Sequence, residues 1–228
     1  LLHALGVEIT RSRTWRVSIS RYNPRSFGVN PFSDIKRLLG ESKRTIAFDV
    51  GAHIGGAVEH VKDRIPQCEI HAFEPSPASY ECLVQNTSSY RNIQLNGLGV
   101  GASCETKLFL ENSCSVMSSF LKPGTTCTGT ITSSIPVQVV TLDHYCVEKN
   151  TPYINLLKVD TQGYDLEVLR GAETLLGSNQ IQMVLIEITF TDMYRGIPPL
   201  DEIFRFLLDR SFALVSFYDF HYTNTVAG

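Results

Sequence analysis

At 228 residues, with 43% apolar and 19% charged side chains, the chain is long enough for one large domain and too apolar to be disordered throughout. A core of this size needs no disulfide or metal staple. The formal charge of −3 hides an uneven spread, because residues 1–44 hold nine Lys/Arg against Glu8, Asp34 and Glu41 while the remainder is acidic.

The basic arm at 1–30 carries Arg11, Arg13, Arg16, Arg21 and Arg25. It could meet a phosphate or an acidic lipid, and its ordinary reading is a solvated segment folding back on an acidic body. Pro31 opens a helix in which Phe32, Ile35, Leu38 and Leu39 recur at helical spacing before Gly40. A buried strand follows at 45–50, then a helix at 54–64 closed by Pro66, a strand at 69–73, a helix opened by Pro77, and a third strand near 93–95. Strands this far apart are not hairpins, so parallel pairing with helical crossovers is expected. Residues 104–110 alternate like a strand, 111–134 form a long Ser/Thr/Gly-rich loop, and 135–142 form a second strand. The stretch 104–142 reads as a hairpin inserted in the α/β frame. The frame resumes with a strand at 154–159, a helix at 164–176, a strand at 182–188, a helix at 199–209 and a last strand at 212–217. The expected fold is α/β: an open, mostly parallel six-stranded sheet with helices on both faces.

No nucleic-acid partner is expected, since basic and aromatic residues are not interleaved across the body. The longest aliphatic stretch, Met183 to Ile186, is far too short for a membrane span. No charged-then-apolar leader opens the sequence, and Leu1 in place of Met reads as a partial chain. Cys68, Cys82, Cys104, Cys114, Cys127 and Cys146 show neither CxxC pairing nor zinc-finger spacing. The reading is reduced thiols in a cytoplasmic protein.

Ligands of open α/β sheets bind outside the carboxyl ends of the strands. Asp49, Glu74, Asp160 and Glu187 sit at four such ends, where buried carboxylates are costly without a cationic or hydrogen-bonding ligand. Gly51 allows a tight turn and Gly55 close helix packing. Glu74, 19 residues beyond Gly55, is placed to hold two ribose hydroxyls. The glycine spacing is G-x-x-x-G rather than the G-x-G-x-x-G of a dinucleotide site. Asp49 would repel a pyrophosphate and attract an ammonium, which favours S-adenosylmethionine over NAD. The plainer alternative is that Asp49 only caps the next helix.

Three blocks then carry a resemblance: Phe48-Asp-Val-Gly-Ala-His-Ile-Gly55, Ala72-Phe-Glu-Pro-Ser-Pro77, and Leu156-Leu-Lys-Val-Asp-Thr-Gln-Gly-Tyr-Asp-Leu-Glu-Val-Leu-Arg-Gly-Ala172. Over about residues 30–228 the sequence resembles the FkbM family of S-adenosylmethionine-dependent methyltransferases. The resemblance implies a class I methyltransferase (Rossmann-like) domain over 31–228 and O-methylation of a hydroxyl on a sugar or secondary metabolite. It places Asp49, Gly51 and Ala52 at the methionine end of the cofactor and Glu74 at the ribose. Pro75 and Ser76 fall beside the adenine, and the Asn96 to Gly99 segment, with Leu98 and Gly99, at the adenine edge. Asp160 falls near the cofactor's amino group, facing the acceptor, and Gly55 and Gln162 complete the set. His53 stands where the family more often has Asn. The family also continues into a final antiparallel strand past a position like Gly228.

The cofactor brings an electrophilic methyl, so the protein must orient a hydroxyl and remove its proton. The candidate catalytic residues are Asp160, His53 and Glu187, with His144 a further candidate base. Asp160 and Glu187 could instead share a Mg²⁺, but no metal site is assigned. Lys158 points the same way as Asp160 and either neutralises it or snorkels from the core. Asp143 reads as a cap, His60 and His71 as ordinary positions, and Tyr164 as packing or pocket lining. Arg195 is read as solvated. Ser113, Ser115, Ser118 and Ser119 belong either to a substrate lid or to a disordered linker. The rival functions are a nicotinamide-dependent oxidoreductase and a cofactor-binding module without catalysis. The expected partner is a small hydroxyl-bearing acceptor; nothing in the sequence names it or the oligomeric state.

Overall fold

A computed structural model describes residues 7–11, 17–21, 27–40 and 44–218. Side chains of the basic arm, Arg11 to Arg25, and the chain after Tyr218 lie outside that description. Two compact units are present, one made of residues 1–34 and 214–228 and one of residues 35–213.

In the first unit, β1 (Val7–Arg11) and β2 (Val17–Arg21) pair antiparallel. This is a hairpin where the sequence suggested only a basic arm. Asp34, in the first turn of α1 (Pro31–Leu39), accepts hydrogen bonds from Gly28 N at 2.8 Å and from Tyr218 Oη at 3.1 Å.

The second unit begins its sheet with β3 (Ile46–Val50), α2 (Gly56–Arg64), β4 (Glu69–Phe73), α3 (Pro77–Thr87) and β5 (Ile93–Asn96). Every residue of β3 is buried, as a strand covered on both faces requires. Pro77 is in the first turn of α3, where a missing N–H costs nothing. Next come β6 (Gly99–Val100), β7 (Glu105–Asn112), a 3₁₀ turn at Ser115–Met117, β8 (Ile131–Val140) and α4 (Leu142–Glu148). The last elements are β9 (Leu156–Val159), α5 (Asp165–Arg170), α6 (Glu173–Gly177), β10 (Val184–Ile186) and α7 (Leu200–Leu208).

The main sheet is five-stranded and wholly parallel, in the order β10-β9-β3-β4-β5. The chain runs outward from β3 through β4 to β5, then restarts on β3's other side with β9 and β10. The switch point therefore lies between β3 and β9, a Rossmann-like α/β arrangement. A second sheet, β6-β8-β7, is built around the β7/β8 hairpin. The core joins Phe48, Phe73, Leu142, Tyr145, Leu157, Val168, Leu169 and Leu176 into one cluster.

Four expectations shift. The hairpin ladder runs out to Asn112↔Ile131, so the connecting loop is shorter than 111–134. The helix expected over 164–176 is two, broken at Gly171-Ala172. A Cβ on Gly171 would fall 2.0 Å from the Gly101 carbonyl oxygen, so backbone meets backbone there. Asp143 caps the second piece, accepting from Thr174 N at 2.9 Å and Leu175 N at 3.0 Å, while Thr141 caps its own helix α4. The edge strand near 182–188 contracts to Val184–Ile186. Residues 212–217 are no strand: no ladder among the described residues includes them, and Leu214 and Val215 stand exposed. Their apolar pattern matched a strand, but a strand exists only by its pairing.

All six cysteines are free thiols. No helix among the described residues is long and apolar enough to cross a membrane.

Candidate active site

The register of the main sheet builds the site. Asp49 on β3 lies opposite Lys158 on β9, and both strands end at the switch point. Lys158 Nζ lies 3.0 Å from Asp49 Oδ1, 3.4 Å from Asp160 Oδ2 and 3.0 Å from the Gly51 carbonyl oxygen, to which it donates. The expectation that Lys158 neutralises Asp160 holds, and it serves Asp49 as well. Burial works against the Lys158 charge, but the two carboxylates outweigh it and hold its pKa above the ordinary range. Asp49 is 4% exposed. Burial raises its pKa and the Lys158 ammonium opposes the rise. Oδ1 has the Lys158 ammonium as its partner, and Oδ2 has none among the described residues. No contact supports the plainer reading of Asp49 as a helix cap, since the residue before α2 is Gly55 and no side chain caps it.

The loop after β3 is fixed through its backbone. Gly51 N and Ala52 N both donate to the Phe73 carbonyl, each at 3.0 Å, and Gly55 N donates to Ala52 O at 2.8 Å. Gly51 has φ +77°. A Cβ there would lie 1.9 Å from the Asp160 carbonyl oxygen, so only glycine lets the β3 and β9 tips meet. Glu74 ends β4 and is 5% exposed. Its Oε2 accepts from His53 N at 2.8 Å and its Oε1 from Ser76 N at 2.9 Å. Burial nevertheless pushes its carboxyl up to about 7. Half-buried Pro75 follows, and the Ser76 hydroxyl is already committed, donating to Glu111 Oε1 at 2.8 Å.

Asn96 to Gly99 leads from the main sheet into the second one. Asn96 Oδ1 accepts from Tyr145 Oη at 3.2 Å, Leu98 packs against the core, and Gly99 pairs with Val139. Buried His71 also meets Tyr145 Oη, at 2.9 Å, which confirms a packing position within the aromatic cluster.

Asp160, Gln162 and Glu187 form a second polar group beside Asp49. Gln162 Nε2 donates to Asp160 Oδ1 at 3.0 Å and to Glu187 Oε2 at 2.8 Å. The Gln162 amide thus bridges the two carboxyls, each of which lies near enough to perturb the other. Protein around Glu187 and the Asp160 charge push Glu187 up to about 8. For Asp160, burial acts upward, but Lys158 and the surrounding donors win and hold it low. Of the two carboxyls, Glu187 holds a proton the more readily. No group of three or more His, Cys, Asp and Glu among the described residues is arranged to hold a metal ion.

The 113–130 loop lies down on this group. Ser119 Oγ donates to the Gln162 carbonyl at 2.8 Å, and His53 Nε2 meets Ser115 Oγ at 2.9 Å. Ser118 Oγ accepts from Asn112 N, and Ser113 Oγ from Thr130 N. All four serines make hydrogen bonds, so the segment is an ordered cover, not a slack linker. It is also zipped to residues 192–195: Gly124 N donates to Met193 O at 2.8 Å, Thr126 N to Asp192 O at 3.0 Å and Arg195 N to Lys122 O at 2.8 Å. His53 is therefore engaged at both its backbone and its ring, and burial lowers its pKa, leaving the imidazole neutral.

Three side chains shape this site in ways the sequence did not specify, Tyr194 having been placed only within the 192–195 segment beside the acceptor. Tyr194 is 1% exposed and donates to Gln162 Oε1 at 2.8 Å. Buried Asp165 shapes the 160–165 turn, accepting from Thr161 N, Thr161 Oγ1 and Gly163 N. Glu111 takes the hydroxyl protons of Ser76 and Ser133 in hydrogen bonds. Only Asp165 carried a signal, an acidic residue four positions after Thr161 at a helix start. His144, by contrast, lines a groove of about 640 Å³ with Asp143, Val147, Pro152 and Gln180, at the end of the sheet where strands begin. Tyr164 is buried against Phe120, with Lys107 over its ring, in a packing role.

The chain is similar to known methyltransferases. The family model described as Methyltransferase FkbM domain matches residues 49–214. Across 171 residues the chain is 27% identical to the hexuronic acid methyltransferase AglP of Haloferax volcanii, covering 74% of this chain and 64% of that protein. Across 142 residues it is 29% identical to Methyltransferase 1 of Beauveria bassiana, covering 55% of this chain and 57% of that protein. The chain thus spans less than two thirds of the length of these relatives.

Proposed function

The chain belongs to the FkbM methyltransferase family, and from that premise we propose that it is an S-adenosylmethionine-dependent O-methyltransferase acting on a hydroxyl of a sugar or related small molecule. The observation that carries the reading is Asp49, a buried carboxylate at the switch point with an oxygen that no protein donor meets. A buried acceptor left bare costs about 1–3 kcal/mol, so it calls for a donor from outside the chain. An ammonium supplies one. Asp49 and Asp160, with Glu74 partly ionised, also face Lys158 alone among the groups described above, and a cationic ligand offsets that excess.

The cofactor, when bound, supplies an electrophilic methyl on a sulfonium. In this reading Asp49, Gly51, Ala52 and Gly55 hold its amino-acid end, and Glu74 accepts the ribose hydroxyls. Pro75, Ser76, Leu98 and Gly99 border its base. Asp160 and Glu187 take the proton of the acceptor hydroxyl. His53 ties the cofactor loop to the covering segment rather than acting as the base, because Ser115 and Glu74 already occupy it. The printed name of the archaeal relative supports a sugar acceptor. The free cysteines suit a cytoplasmic protein. The 31–228 domain boundary with an inserted hairpin at 104–142 is part of the same proposal.

The test is calorimetric titration with S-adenosylhomocysteine, with NADH as control. Micromolar binding of the former, lost in Asp49→Ala, is expected. Binding of NADH with no heat from S-adenosylhomocysteine would return the nicotinamide reading. Cofactor binding with no transfer to any hydroxyl in a broad panel would leave a non-catalytic module.

A further inference from the structure

We propose that Tyr194 is a positioning residue for proton removal: its hydroxyl fixes the Gln162 amide so that the amide nitrogen holds Asp160 and Glu187 as the pair that takes the acceptor's proton. The inference rests on the methyltransferase reading, since it needs an acceptor hydroxyl.

A primary amide has one end that only donates and one that only accepts. Tyr194 is buried and its hydroxyl donates to Gln162 Oε1 at 2.8 Å. The Met117 carbonyl, 3.3 Å away, competes for the same proton, and the shorter contact to Gln162 takes it. With the accepting end taken, Nε2 must face the carboxyls, and its two N–H groups meet one oxygen of each. The Gln162 backbone is fixed as well, at φ +56° and with its carbonyl held by Ser119. Turning the amide over would break the Tyr194 contact and set its oxygen against both carboxyls.

The charged and titratable groups facing the pair are Lys158 from β9, Asp49 from β3, Asp165 from the start of α5, His53 from the loop after β3, and Tyr194 itself. Lys158 sits on the Asp160 side, at 3.4 Å. Glu187 is the exposed member, open to an incoming hydroxyl. In the step assigned to the pair, the acceptor O–H bond breaks, its proton goes to the pair, and its electrons stay on the oxygen that is methylated. Hydrogen bonds to an ionised carboxylate favour ionisation. An amide turned over would present its oxygen to both carboxyls and oppose it.

The test uses Tyr194→Phe, which keeps the ring and removes the hydroxyl, and Gln162→Leu, which removes the amide; circular dichroism checks that each variant folds. Side-chain carboxyl ¹³C NMR, with Glu187→Gln to assign the resonance, follows the titration without acceptor. Wild type has a Glu187 midpoint near 8, and both variants raise it by about one pH unit. The rising limb of the kcat profile moves with it, so kcat at pH 7 falls roughly tenfold and recovers in more alkaline buffer, and in Tyr194→Phe cofactor affinity is unchanged. An unshifted midpoint in Tyr194→Phe overturns the proposal, as does a loss of kcat equal at every pH. A shift in Tyr194→Phe that Gln162→Leu lacks also overturns it, because the effect would not pass through the amide. If wild type methylates no hydroxyl, the enzymatic reading and the proton-removal role fall together, while the NMR midpoints still report separately on the amide.

Discussion

Two loops border the strand tips, and they are held by different means. The 51–55 loop is fixed by backbone: two N–H groups on one carbonyl, a positive φ, and a glycine pressed against the Asp160 peptide. The 113–130 loop is fixed by side-chain hydroxyls and by short pairings with residues 192–195. Backbone fixation leaves no side chain to vary, whereas hydroxyl fixation can change one residue at a time. The first loop suits a constant cofactor and the second a variable acceptor.

The sharpest way to break this contrast is Gly51→Ala. The Cβ meets backbone at 1.9 Å at a left-handed φ, so a stability loss on the order of 4 kcal/mol is expected in denaturant unfolding. A loss under about 1 kcal/mol would show that the loop yields, and the contrast would go with it. Next in size, Asp49→Ala and Glu74→Ala should each weaken S-adenosylhomocysteine by about 100-fold in calorimetry, because each removes an acceptor of cofactor donors. On the other side of the contrast, Ser119→Ala should leave that affinity alone and lower kcat/KM by roughly tenfold, from one lost hydrogen bond to Gln162. Equal effects on both quantities would mean that the two loops are one device.

The smallest expected effect is a pH dependence of cofactor affinity. Glu74 titrates near 7, above the ordinary carboxyl value, because it is buried. Its ionised form is the better acceptor of ribose hydroxyls, so affinity should rise several-fold from pH 6 to pH 8, and Glu74→Gln should flatten the rise. Stability runs the other way. A carboxyl whose folded pKa is raised contributes stability below the unfolded value of 4.5 and loses it as pH climbs through about 7. The ligand-free protein should therefore unfold at a lower temperature at pH 8 than at pH 5, and S-adenosylhomocysteine should narrow the gap.

The same division explains what was legible in the sequence. Asp49, Gly51 and Glu74 could be read because strand ends, glycine spacing and a carboxylate offset are local features of the chain. Lys158 could be read because side chains alternate along a strand. Tyr194 could not, since its hydroxyl meets Gln162 across 32 positions through a loop pairing with no periodicity. The strand expected at 212–217 failed for a related reason: apolar alternation is local, but a ladder partner is not. The break at Gly171 was hidden because its cause is the Gly101 carbonyl, 70 residues earlier.

The contact between Gly51 and the Asp160 peptide has one more consequence. Asp49 and Asp160 stand on strand tips in direct backbone contact, so on the proposed reading the donor and acceptor halves of the cleft share one rigid ruler. A new acceptor can be accommodated by remodelling residues 113–130 and 192–195 without resetting the distance the methyl group must cross. Reach is built into the sheet, and choice is left to the loops.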